Sequence, residues 1–246
     1  MAFTVCVLTA AKKEQYIASY IAGDTPVTGH DVMAEMIARH GMPQRRVIAW
    51  FVNNYTRPLD WTIDEDATVE FIMTDSPTGL RIYQRSLDFI FVIACARATG
   101  RKAMLKHSIA DGHYWELEGG IVTQLDIDRI KIEMQEIIKR DSPITREILT
   151  IDKARRIFQR QGDLEMSELF IRANLDPVEV YRCGEFYGYF CGGTMASSTG
   201  LLRLFDIVFY EQGLILRFPT TEKPDEVSHA KIIKSMGDVF FDYAHW

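Results

Sequence analysis

The chain has 246 residues, a mass of 28.3 kDa and a net charge of -6. Hydrophobic residues make up 47% and charged residues 25%, which excludes disordered, collagenous and low-complexity classes. The acidic balance, with a pI near 5.6, argues against a generic cationic nucleic-acid coat and leaves only a local basic patch open. The longest apolar run, residues 89–96, is far short of the roughly 18 residues that a membrane span needs. At the N-terminus the lysines follow the apolar stretch rather than precede it, so a signal peptide is not expected, and the cytoplasm is the expected location.

Taken in chain order, residues 4–8 and 16–20 read as strands, the second ending at the turn signal Gly23-Asp24-Thr25-Pro26. Val32, Met33, Met36 and Ile37 recur at helical spacing after Thr28, and Gly41 with Pro43 ends that helix. Residues 47–52 form a strand, Asn53-Asn54 a turn, and residues 69–73 a strand. This order of strand, strand, helix, strand, strand is that of a compact ubiquitin-like roll. Ser76-Pro77-Thr78-Gly79 is the best boundary signal in the first half, dividing the chain into units 1–76 and 77–246.

In the second unit, residues 86–98 are long and apolar and stop at Gly100, as in a buried helix. Residues 107–117 read as a short strand around Asp111-Gly112. Residues 125–140 bury one helical face, with Asp128 and Lys131 as an exposed pair. Residues 151–161 form a basic helix stopped at Gly162, and residues 178–181 and 201–210 are strand-like. The expected class is α+β, with helices covering an antiparallel sheet.

Chemical motifs are mostly absent. There is no phosphate loop, no dinucleotide fingerprint, no HExxH pair and no nucleophile elbow. The six histidines are never four apart, so no two meet on one helical face as metal ligands, and neither a metal nor a cofactor is expected. Cys6 and Cys95 read as small core residues. Cys183 and Cys191 flank an aromatic segment, a placement open to a disulfide or a metal; a reducing compartment favours two free thiols.

Residues 47–53, with Leu59, Asp66 and Val69-Glu70-Phe71, resemble a TGS domain, the β-grasp module at the front of threonyl-tRNA synthetase. Asp111-Gly112-His113-Tyr114-Trp115, residues 130–143, and Tyr181-Arg182-Cys183-Gly184 through Cys191-Gly192-Gly193 resemble the editing domain that follows it in that family. The resemblance implies a TGS-like unit followed by an editing-like α+β unit. It also implies that an HxxxH pair and a Cys–His pair would carry deacylation. Here those positions hold Arg85 and Phe89, then Cys191 and Met195. An arginine, a phenylalanine and a methionine cannot handle a proton near neutral pH as histidine does, so the chemistry is expected to be lost. The old cleft then has Arg85, Phe89, His113, Tyr114, Cys191 and Met195 as weak binding candidates. Lys106, Arg155, Arg156 and Arg160 are candidates for RNA or phosphate contact.

Ser198-Thr199-Gly200, Phe205-Asp206, Tyr210 and residues 213–219 also resemble the front end of uridine-kinase-like nucleoside kinases. That resemblance implies a non-catalytic binding or regulatory module ahead of a kinase domain. The alternatives are a free-standing hydrolase of mischarged tRNA and a tRNA-binding adaptor, the latter requiring a continuous basic face.

Overall fold

A computed structural model describes residues 2–8, 15–21, 26–40, 46–109 and 112–227. The turn at residues 23–25, the helix stop at Gly41 and Pro43, and Asp111 lie outside the described residues.

The first sheet has five strands: β1 (Ala2–Leu8), β2 (Gln15–Ile21), β4 (Val47–Val52), β5 (Tyr55–Arg57) and β7 (Ala67–Met73). Their order is β2-β1-β7-β4-β5, with β1 and β7 parallel at the centre and the other pairs antiparallel. That is the β-grasp arrangement. Helix α1 (Gly29–His40) buries Val32, Met33 and Met36 in a core with Val5, Val7, Trp50 and Phe71. Trp50 stacks on Phe71 at 6.3 Å and donates its indole hydrogen to the Pro58 carbonyl at 3.0 Å. Asn53 and Asn54 turn β4 into β5 at φ 48° and 70°, a left-handed two-residue turn that asparagine tolerates. Two short strands, β3 (Val27–Thr28) and β6 (Thr62–Ile63), pair beside this sheet.

Helix α2 (Pro77–Thr99) starts nine residues earlier than the apolar run suggests. Ser76 caps it: its hydroxyl accepts the Gly79 amide at 3.0 Å and donates to the Met73 carbonyl at 2.7 Å. Pro77 supplies a first-turn residue that needs no amide hydrogen. The Ser-Pro signal therefore opens a helix. Gly100, at φ 68°, closes it.

Around α2 stand two further sheets. One has the order β13-β14-β9-β8, from β8 (Ala103–Ile109), β9 (Gly112–Leu117), β13 (Asp206–Tyr210) and β14 (Gly213–Arg217). The other has β10 (Ile144–Leu149), β11 (Val178–Cys183) and β12 (Phe186–Gly188). Helix α3 (Gln124–Lys139) is fixed by a reciprocal box between Thr123 and Asp126, and α4 (Ile151–Arg160) is followed by α5 (Leu164–Arg172). The class is α+β, with two antiparallel sheets in the second part where one was expected. The stretch 201–210 is a 3-10 turn at Thr199–Leu201, a loop, and then β13. Lys131 pairs with Asp206 at 2.7 Å and not with Asp128, which accepts from Gln124.

The largest core wraps α2 and draws Ile48, Ala49 and Ile72 from the first sheet together with Trp115, Ile130, Tyr181 and Leu216. Hydrogen bonds from Thr194 to the Thr56 carbonyl (2.9 Å) and between Ser197 and His30 (3.3 Å) cross the same junction. No helix among the described residues is long and apolar enough to cross a membrane.

Candidate functional site

Arg85, Phe89, Val92 and Ala96 follow one another at steps of four, three and four, so α2 presents them along one face. Arg85 donates from Nη1 to the Thr194 carbonyl at 3.0 Å. Gly193, at φ 89°, lies over the guanidinium so closely that a β-carbon there would come within 2.6 Å of it. Phe89 is fully buried, with Phe190 edge-on at 5.6 Å and Phe186 tilted at 6.3 Å. Gly188 makes room for it, since a β-carbon would sit 2.6 Å from the ring. Met195 is buried in the core, and the neighbouring Ala196 amide donates to Ser86 at 2.8 Å. Three of the four positions that the resemblance assigns to polar chemistry, Arg85, Phe89 and Met195, are thus packed or internally bonded.

Cys191 is exposed, its thiol 3.5 Å from the Tyr189 hydroxyl. That bond first, and burial second, push the Tyr189 hydroxyl up to about 12. Cys183 is buried, and all four cysteines are free thiols.

His113 meets Asp88, a residue that sequence reasoning passed over. Nδ1 lies 2.9 and 3.0 Å from the two carboxylate oxygens, and Phe218 stands edge-on at 4.9 Å. Burial raises the Asp88 carboxyl above its ordinary range, opposed by the His113 hydrogen bond and by the charges of His113 and Arg85. The signal was a single acid inside the largely apolar stretch 86–98, a residue that must find a partner to be buried.

Tyr114 is not part of this cluster. Side chains alternate along β9, so Tyr114 points to the opposite face and packs with Ile109 and Ile215. Its hydroxyl donates to Glu116 at 3.3 Å, and burial holds it well above the usual tyrosine value. Arg85, Phe89 and Met195 therefore come together, with His113 reaching them through Asp88 and Cys191 at the edge.

Of the basic candidates, Lys106 pairs with Glu116 at 3.1 Å on β8 and β9. On α4, Ala154 and Phe158 face inward while Arg156 and Arg160 are exposed, in line with Lys153 at steps of three and four. Arg155 is half-buried, and its Nε has no hydrogen-bond partner.

Beyond Phe89 the same face of α2 opens onto a cavity of about 720 Å³. Val92, Ala96 and Gly100 form one wall, and Leu105 and Trp115 of the four-stranded sheet another. Phe158, Met166 and Leu169 of α4 and α5, with Phe186 and Phe190, complete it. Gln161 ties α4 to β12 through both its amide atoms, to the Tyr187 carbonyl (2.9 Å) and amide (2.7 Å). No cluster of three or more metal-ligating side chains exists among the described residues.

No family model matches the chain. It is similar to the threonine--tRNA ligase of Rubrobacter xylanophilus, at 30% identity over 177 residues, which is 70% of this chain and 27% of that protein. The threonine--tRNA ligase of Thermotoga neapolitana is 30% identical over 169 residues (67% of this chain, 26% of that protein), and that of Nitratidesulfovibrio vulgaris is 28% identical over 174 residues (70% and 27%). The chain spans about a quarter of the length of the curated relatives it matches. These relatives support the synthetase resemblance and give none to a uridine-kinase parentage or a kinase-domain partner.

Proposed function

We propose that this chain is a tRNA-directed binding module of the threonyl-tRNA synthetase type, built on an editing-like unit without its hydrolytic groups and working in the cytoplasm. The observation that carries the reading is the packed face of α2. Arg85 is tied to the Thr194 carbonyl, Phe89 fills the space between Phe186 and Phe190, and Met195 is buried. None of the three offers a titrating group to activate water. Similarity to threonine--tRNA ligases supports an RNA partner. The division near residue 76, with a β-grasp unit ahead of the editing-like unit, belongs to the same proposal.

The exposed stripe of Lys153, Arg156 and Arg160 is the basic surface this reading uses for phosphate contact. The test is fluorescence anisotropy of labelled threonine tRNA with the full chain over a salt series. Saturable binding that weakens steeply with salt, and with a shallower slope in the Arg156→Ala/Arg160→Ala variant, is expected. Absence of saturable binding at low salt overturns the proposal.

A second reading, a hydrolase acting on mischarged tRNA in trans, draws on the His113–Asp88 pair and the accessible Cys191 thiol. Those groups would need a different reacting geometry from the one the family motif implies. Serine release from mischarged tRNA distinguishes the two readings.

A further inference from the structure

We infer that the cavity between α2, β12 and helices α4 and α5 binds a free, uncharged, flat aromatic molecule, laid among two pairs of aromatic side chains from β12 and the loop after it. Phe186, Tyr187, Tyr189 and Phe190 all line the cavity, and each is half-buried rather than sealed in a core. β12 is the outer strand of its sheet. Side chains alternate along a strand, and the four rings divide accordingly. Phe186 and Phe190 pack against the core around α2, Tyr187 and Tyr189 against the core under α4 and α5. The cavity therefore receives rings from both faces of one strand edge, a shape that admits a flat molecule.

A second layer holds these rings in place. Phe89 stands against Phe186 and Phe190 at 6.3 and 5.6 Å, and Phe170 stands edge-on to Tyr189 at 5.3 Å. Both bracing residues are fully buried, behind the wall rather than in it. The Arg182 guanidinium lies 5.7 Å from the Tyr187 ring, and Gln161 holds the Tyr187 backbone through both amide atoms. The rings are thus ordered before any ligand arrives, which lowers the cost of binding. Offset and edge-on contacts between rings add to what burial alone gives, so an aromatic ligand gains more here than a saturated one of the same size. On another wall Leu105 is 50% exposed, apolar surface that a ligand would cover. The volume of about 720 Å³ falls within the usual range for small-molecule sites.

The rim sets the charge. Arg101, Lys102 and Arg172 stand against Glu118, Asp163 and Glu165, three of each sign. Two of the cations are already engaged. Arg101 donates to the carbonyls of Leu117 (3.1 Å), Glu118 (2.7 Å) and Gly120. Lys102 bridges Asp163 (2.9 Å) and Glu165 (2.8 Å). A balanced rim has no net pull on an anion or a cation, so the phosphates that accompany an RNA-borne base gain nothing here. A free neutral ring suits the site better. This inference stands apart from the tRNA proposal, because it concerns a ligand that carries no phosphate.

The experiment is an isothermal titration of the full chain at neutral pH with 2-naphthol, a flat and uncharged probe. Decahydro-2-naphthol has the same skeleton without the aromatic rings, and 2-naphthoate has the rings with a negative charge. One saturable site for 2-naphthol is expected, with both controls at least tenfold weaker. Ala96→Phe, which fills the cavity from α2, is expected to remove binding. Leu105→Glu, at an exposed wall position that the fold tolerates, is expected to weaken it at least tenfold and decides the location should Ala96→Phe fail to fold. Failure of 2-naphthol to saturate, or binding unchanged in Leu105→Glu, overturns the inference. Equal binding of the saturated control overturns the aromatic class, and equal or tighter binding of the naphthoate overturns the uncharged one. Displacement of 2-naphthol by a short RNA ending in adenosine, at lower concentration than by free adenosine, overturns the assignment to a free molecule, whatever the outcome for whole tRNA.

Discussion

The two halves of helix α2 share a face, a core and a covering loop, yet one is full and the other hollow. At Arg85 and Phe89 the chain has filled its own groove: a guanidinium bonds to a backbone carbonyl and a phenylalanine sits among two others. At Val92 and Ala96 the helix instead borders, with Trp115, a space of about 720 Å³ that stays open. A guanidinium and a phenyl ring that fill their own groove leave no space, whereas short residues on the same helix face border an open one.

The sharpest way to break the comparison is Phe89→Ala. Truncating this fully buried ring should cost about 3–5 kcal/mol in urea-induced unfolding, because transfer energy and a new cavity add together. A cost near zero would mean that the first half is as loosely filled as the second. Next comes Asp88→Leu, which leaves Nδ1 of His113 without its acceptor and should cost about 1–3 kcal/mol, while Asp88→Asn keeps an acceptor and costs less. Equal losses in the two variants would remove the hydrogen bond from the account. On the hollow side, Val92→Ala changes a half-buried side chain that already faces open space, so about 1 kcal/mol or less is expected by the same unfolding measurement.

The smallest effect lies far from both halves. Hydrogen bonds from the Thr28 side chain and amide hold the Asp31 carboxyl below its ordinary value of 3.8. A carboxyl lowered in the folded state contributes stability that is present above the unfolded value and lost as pH falls through the folded one. Asp31→Asn should therefore be slightly less stable than the parent at pH 7. The gap should close below pH 4, as followed by thermal unfolding; a gap that widens in acid would reverse the sign of that contribution.

Strands and helices with clean periodicity were legible in the sequence. Residues 4–8 and 47–52 are short runs rich in β-branched and apolar residues and 125–140 carries three- and four-residue steps, and each forms the expected element within two residues. Helix α2 was read short because its first turns mix polar and apolar residues, although Ser76-Pro77 is a cap in its own right. Helix α5 was missed because nine residues following a glycine stop give little more than two turns of pattern. The stretch 201–210 was read as one strand since Leu201 and Leu202 are apolar, but they fold into the core from a 3-10 turn and loop. Of the candidate residues, Arg85 bonds to the Thr194 carbonyl next to the buried Met195, and Phe89 lies four residues along α2. Tyr114 was placed in the cleft because it adjoins His113 in sequence, and strand alternation sends it to the other face. The cavity at Trp115 was not legible at all, since it depends on α4, α5 and β12 closing over a helix about sixty residues away.

Serine release from mischarged threonine tRNA tests the central claim most directly. The full chain, at a concentration at which it binds that tRNA, should leave the rate of release equal to that in buffer alone. Catalysed release that disappears in Cys191→Ala would contradict the claim and establish that the exposed thiol still performs hydrolysis.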